Sequence, residues 1–207
     1  MNELIEQIED LKKTDIKNLV DNRIKDFKNI NRKSNDDLFN EMCFCILTAN
    51  YNAEKSIKIQ NEIGDNFCRG TKDKICEVLK EHGHRFPNTR ADYILCSRIY
   101  KNKLDQIINN SSPKTLREWI VKNIKGLGYK ETSHFLRNIG FDDYAIIDFH
   151  IIDLLEKYDI IKKPKTITKN KYYEIEEILR KIAKKTNLTL AKLDLYLWYM
   201  ETGKILK

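Results

Sequence analysis

Glycine and proline are scarce in this 207-residue chain, at seven and three residues, which leaves little room for long loops. No segment alternates like a half-buried strand, none is of low complexity, and no unit repeats. No apolar run is long enough to span a membrane, so no membrane partner is expected. Met1-Asn2-Glu3 opens a charged amphipathic stretch rather than a signal peptide, which leads us to expect an intracellular protein. The five cysteines, Cys43, Cys45, Cys68, Cys76 and Cys96, are odd in number and show no zinc spacing, so reduced thiols are expected.

What is there is helical periodicity. It predicts helices near 2–12, 14–30, 36–49, 52–63, 71–82, 89–101 and 103–109, then 113–124, 130–139, 149–158, 171–186 and 189–202. Gly64 and Gly83 fall where helices should stop, and Thr71, Ser112 and Thr189 where they should start. The fold class is therefore all-α, and 162–171, with Pro164, is the expected exposed loop. The 38 Lys and Arg outweigh 31 Asp and Glu, a net charge of +7 that suits a polyanionic partner.

One stretch carries chemistry. Ile124-Lys125-Gly126-Leu127-Gly128-Tyr129-Lys130 reads as a Gly-x-Gly turn between two helices, the first opened by Ser112-Pro113 and the second stopped by Gly140. Gly126 and Gly128 allow backbone angles closed to other residues, and amides at the start of the second helix form an anion site. The pattern is a helix-hairpin-helix, which grips a DNA phosphate without reading sequence. Lys130 sits in a first helical turn against the dipole, which favours its neutral, nucleophilic amine. Asp148 follows Ala145-Ile146-Ile147 and opens the next helix, as an N-cap, a functional carboxylate or both. His150 is a candidate phosphate contact or a packed core residue. Ordinary hairpins also use Gly-x-Gly and most lysines solvate a surface, so a non-enzymatic DNA-binding hairpin stands beside an enzyme. An acid beside DNA is unhelpful for binding alone, which argues for the enzyme.

Gly126-x-Gly128-x-Lys130 followed by Asp148 resembles the helix-hairpin-helix DNA glycosylase superfamily that includes endonuclease III and 8-oxoguanine glycosylase. More narrowly, the stretch 43–50, Gly83-His84-Arg85-Phe86, 126–136 and the end 193–207 resemble the archaeal-type (type 2) 8-oxoguanine DNA glycosylase/lyase. Phe149 departs from that pattern, where a smaller or more polar residue is expected. The resemblance implies two helical domains, 34–143 and 1–33 plus 144–207, with a DNA-binding cleft between them.

The resemblance also implies roles. Lys130 would be the Schiff-base nucleophile and Asp148 the catalytic aspartate of a base-excision-repair enzyme with β-elimination lyase activity. Gly126, Gly128, Lys130 and His150 would hold DNA phosphates, and Arg85 and Phe86 would be the wedge that fills the gap left by an extruded base. Trp198 would stack on that base, and Lys207 would help separate 8-oxoguanine from guanine, with Asp194 a further candidate. A monovalent cation is expected on the carbonyls of Lys122, Ile124 and Leu127. The iron–sulfur cluster of some relatives is excluded, because no cysteine lies in the C-terminal third. The partner is double-stranded DNA containing 8-oxoguanine, the protein a monomer, and its place cytoplasmic and nucleoid-associated. A glycosylase for another oxidised base is the alternative within catalysis.

Overall fold

The computed structural model describes residues 1–30 and 34–207, and among these every regular element is a helix. In chain order they are α1 (Asn2–Leu11), α2 (Ile16–Ile30), α3 (Asn35–Thr48), α4 (Ala53–Ile63), α5 (Asn66–Arg69), α6 (Lys72–Glu81) and α7 (Pro87–Ser97). A 3₁₀ turn (Arg98–Lys103) leads to α8 (Leu104–Asn109), α9 (Pro113–Asn123), α10 (Tyr129–Asn138), α11 (Phe149–Lys157), α12 (Lys169–Lys185) and α13 (Leu190–Thr202). The all-α expectation holds. Among the described residues no helix is long and apolar enough to cross a membrane.

The chain divides into two compact units, Ile30–Phe135, and Met1–Asn29 with Leu136–Lys207. Residues 31–33, which adjoin the domain boundary expected at 33/34, lie outside the described residues.

The first unit is built on α3. Ser34 and Asp37 form a reciprocal capping box at its start. Leu38, Phe39 and every residue from Glu41 to Thr48 are buried, as befits a helix apolar on all sides. It packs against α4, α5, α7, α8 and the 3₁₀ turn. The periodicity predicted one helix over 89–101, but the α-helix starts at Pro87, whose fixed φ suits a first turn, and gives way at Arg98. Arg98 donates from Nε to the Phe67 carbonyl (2.8 Å) and from Nη2 to that of Asn66 (2.9 Å), which also accepts the Gly70 amide, so one guanidinium ties down α5. With four residues, α5 is too short to show a period, and the sequence reading missed it.

In the second unit α13 is the most buried element and packs against α1, α11 and α12. Val20, Ile24 and Phe27 of α2 meet Ala191, Leu195 and Tyr196 in one apolar cluster. In the sequence Ile205 and Leu206 would be odd in a free tail, which leads us to expect a docked end, and Ile205 packs on that cluster. Beside it the Arg137 guanidinium stacks over Phe27 at 4.8 Å and pairs with the Asp194 carboxylate. Both side chains are almost wholly buried. Breaking a buried pair strands one charge, so Asp194→Ala is expected to lower the unfolding free energy by about 3–5 kcal/mol. A urea titration would show this as a lower midpoint; a midpoint unmoved from wild type would contradict it.

Candidate functional site

The hairpin turn is set by where α9 stops and α10 starts. Ser112 caps α9 by accepting the Thr115 amide, with Pro113 at the first helical position. Ile124 leaves helical geometry at ψ 108°, and its carbonyl accepts the Leu127 amide at 3.3 Å. Gly126 has φ +89°, and a Cβ there would stand 2.5 Å from Cδ2 of Tyr93. Glycine is thus required twice over, by backbone angle and by space. Gly128 does not lie in the left-handed region, which corrects the expectation that both glycines supply unusual angles; a Cβ there would meet only the Oε2 end of Glu131, at 3.3 Å. Among the described residues the amides of Gly126, Gly128 and Lys130 have no hydrogen-bond partner, and they lie at the positive end of α10. The turn borders an open depression of about 460 Å³, lined among others by Arg90, Tyr93, Lys122, Ile124, Leu127 and Glu131.

Two ties that the sequence reading missed lock the hairpin. The Tyr129 hydroxyl donates to the Glu118 carboxylate (2.9 and 3.1 Å), and buried Arg117 donates to the Ser133 hydroxyl (3.3 Å). Lys130, at the second position of α10, keeps a quarter of its side chain exposed, and its Nζ stands 3.9 Å from Glu131 Oε1.

The same unit holds Arg85 and Phe86, both exposed, in the turn between α6 and α7. Gly83 enters that turn at φ +68°, and Phe86 is the N-cap residue of α7. The Arg85 guanidinium lies 5.1 Å from the centre of the Phe86 ring. Beneath them His84 is buried: Nδ1 accepts the Phe86 amide and Nε2 donates to the Leu47 carbonyl, each at 3.1 Å. Buried Arg90 donates to the Ala49 carbonyl at 2.7 Å. Neither His84 nor Arg90 was singled out in the sequence, because their partners on and after α3 are 37 and 41 residues away.

The second unit carries the acid. Asp148 is the N-cap residue of α11, and its Oδ1 accepts the Ile151 amide at 3.0 Å. It follows the buried, non-helical stretch Tyr144–Ile147, whose polar backbone needs partners. Glu176 accepts the Ala145 amide (3.0 Å), while the Tyr172 hydroxyl donates to the Ala145 carbonyl (2.7 Å) and accepts the Ile147 amide (3.3 Å). These two α12 side chains hold the approach to Asp148. Phe149 is 70% exposed and His150 is exposed. The His150 ring meets Trp198 edge to face, at 5.3 Å and 86°. Trp198 is half-buried, and its indole N–H is buried with no acceptor among the described residues. Lys207 is partly buried, and the Asp194 carboxylate is engaged by Arg137 within the fold. The structure thus groups Gly126, Gly128 and Lys130 on the hairpin, Arg85 and Phe86 in one turn, and His150 with Trp198.

A family model described as 8-oxoguanine DNA glycosylase matches residues 20–188. The 8-oxoguanine DNA glycosylase/AP lyase of Methanocaldococcus jannaschii is 52% identical over 205 residues, 99% of either chain. That of Korarchaeum cryptofilum is 44% identical over 209 residues, covering 100% of this chain and 99% of the other. The crystal structure of the M. jannaschii 8-oxoguanine glycosylase/lyase in complex with a 15mer DNA containing 8-oxoguanine aligns with a TM-score of 0.96, at 51% identity over 99% of each chain.

The turn geometry separates the two glycines. Gly126→Ala is expected to lose about 1–2 kcal/mol of stability to the left-handed backbone, and more if Tyr93 does not move aside. It should also bind duplex DNA more weakly. Gly128→Ala should stay near wild type in thermal melting, since the Glu131 carboxylate can swing away. Equal melting temperatures for the two variants would refute this assignment.

Proposed function

The chain belongs to the 8-oxoguanine DNA glycosylase family, and from that membership we propose that it nicks DNA at an excised 8-oxoguanine through a Schiff base on Lys130. The protein is a base-excision-repair glycosylase with AP lyase activity, acting on double-stranded DNA. The observation that carries the mechanism is Lys130 itself, a partly exposed side chain in the first turn behind a glycine turn whose Gly126 and Gly128 amides have no partner among the described residues.

The hairpin amides of Gly126, Gly128 and Lys130 bind a backbone phosphate, with His150 contacting another. Arg85 and Phe86 fill the space left as the damaged nucleotide swings out, offsetting part of the unstacking energy. Trp198 stacks on the extruded base. 8-Oxoguanine differs from guanine by an N7–H donor and O8, so an acceptor near N7 suits the lesion and repels guanine's lone pair. Lys207 helps to make that distinction.

The neutral Lys130 amine attacks C1′ while the C1′–N9 bond breaks, its electron pair leaving with the base. Asp148, held in place as a cap, stabilises the positive charge that develops on the sugar and assists loss of the amine proton. Ring opening gives the protonated Schiff base, which acidifies the C2′ protons. Loss of one such proton expels the 3′ phosphate by β-elimination, cutting the strand 3′ to the lesion. A nucleoid-associated place in the cell follows from a duplex substrate.

A monovalent cation fits the end of α9. Carbonyls of a last helical turn lack partners within the helix and lie at the negative end of its dipole. Those of Lys122, Ile124 and Leu127 would hold it, and there it would offer a positive charge to a phosphate oxygen.

Borohydride trapping on a duplex with one 8-oxoguanine tests the mechanism. Wild type should give a covalent band that Lys130→Gln lacks while still binding duplex. Asp148→Asn keeps the cap, since Asn caps as well as Asp, and should melt like wild type. Its excision rate should fall by about 10²–10³, the loss of one preorganised electrostatic partner. No band from wild type bound to this duplex would overturn the Schiff base.

A further inference from the structure

The wedge turn rests on a histidine whose two nitrogens are both spoken for. The Leu47 carbonyl can only accept, so the Nε2 of His84 carries the proton. The Phe86 amide can only donate, so Nδ1 carries a lone pair. The partners thus fix the neutral Nε2–H tautomer. Leu47 lies in the last turn of α3, where carbonyls have no partner within the helix. The His84 amide itself donates to the Leu79 carbonyl of α6 at 2.8 Å. Through one side chain the exposed Arg85-Phe86 tip is therefore anchored to the most buried helix of its unit.

We propose that His84 is a positioning residue for base extrusion, holding Phe86 at the height and angle of a wedge through its Nδ1 lone pair. This rests on the wedge reading of Phe86 above. An exposed ring on a mobile loop would yield to the base stack; a wedge must be held by groups that do not move. The Phe86 amide is the last backbone donor before Pro87, which has none, so its bond to Nδ1 fixes the turn at the point where α7 begins.

The same bond makes the wedge sensitive to acid. Tyr51 faces the imidazole, its ring 4.2 Å away, and Arg90 faces it from α7. On the loop itself stand Arg85 and His82, and His82 contacts Glu62 of α4 at 2.6 Å. Burial pulls His84 below its ordinary value; the Leu47 carbonyl works against this and Arg90 with it. The neutral form thus persists in the folded protein below the ordinary histidine range. As pH falls further, through the lowered folded value, Nδ1 takes a proton and the Phe86 amide loses its acceptor.

Two substitutions divide the imidazole. His84→Asn offers an oxygen to the amide two residues on, the bond of an Asx-turn, in place of Nδ1. His84→Gln keeps a donor for Leu47 but not the acceptor. Extrusion is read by stopped-flow fluorescence of 2-aminopurine beside the lesion, and chemistry by nicking of a duplex with a preformed abasic site, where no base must leave the stack. His84→Gln should slow extrusion and excision about tenfold, the loss of one hydrogen bond. It should leave abasic-site nicking within about twofold of wild type, and His84→Asn should extrude like wild type. Wild type should lose extrusion at acid pH where His84→Asn keeps it, and this comparison decides the matter if His84→Gln does not fold. Equal losses in extrusion and abasic nicking would show a merely structural histidine and overturn the proposal. So would normal extrusion by His84→Gln when Phe86→Ala is slow, which leaves the wedge standing. Normal extrusion by Phe86→Ala would remove the wedge and this proposal with it.

Discussion

A helix end leaves backbone N–H or C=O groups with no partner inside the helix, and the working residues of this protein gather where that shortage is acute. At the end of α3 the carbonyls of Leu47 and Ala49 are met by His84 and Arg90, and the turn that carries Arg85 and Phe86 is fixed as a result. Before α11 the peptide groups of Tyr144–Ile147 are met by Glu176 and Tyr172, and Asp148 is fixed as a result. At the start of α10 nothing among the described residues meets the amides of Gly126, Gly128 and Lys130. The first two shortages are resolved from within and build rigidity. The third leaves donors facing outward, the arrangement that suits an anion.

Rigidity and exposure are therefore divided along short distances in the chain. His84 is buried and Arg85 and Phe86 are exposed; Ile147 is buried and Phe149 and His150 are exposed. In each case a buried residue with satisfied polar groups stands within three positions of one that can reach solvent. This is how a chain with few loops presents side chains to solvent: the candidate site residues sit on helix ends rather than on long excursions. Lys130 breaks the electrostatic preference of the helix it opens, and Tyr129–Glu118 and Arg117–Ser133 hold that helix in place despite it.

The features legible in the sequence were the local ones. Periodicity gave the helices, and Ser112, Thr71 and Thr189 cap them through side chains that act within three residues. The hairpin, Asp148 as a cap and the docked end at Ile205 were legible for the same reason. Partners distant along the chain were not. Tyr172 reads as one more apolar position of α12, and only the folded chain shows its hydroxyl serving Ala145 and Ile147. Asp194 was a further candidate for base recognition, and its pairing with Arg137, 57 residues away, could not be read from the sequence. Gly128 looked equal to Gly126, because spacing does not reveal which of two glycines the chain bends left-handed. The roles of Trp198 and Lys207 came from family resemblance, not from any pattern of their own.

The bond from the Ile151 amide to Oδ1 of Asp148 breaks the symmetry of that carboxylate. In free aspartate a half-turn about the Cβ–Cγ bond exchanges two equivalent oxygens. Here a half-turn only swaps the labels, since either oxygen can accept the Ile151 amide: one oxygen is always held by the backbone and the other is left outside the cap. The group then acts as a single oxygen with a fixed set of lone pairs. The direction in which that oxygen points becomes a stereochemical property of the fold rather than of the side chain.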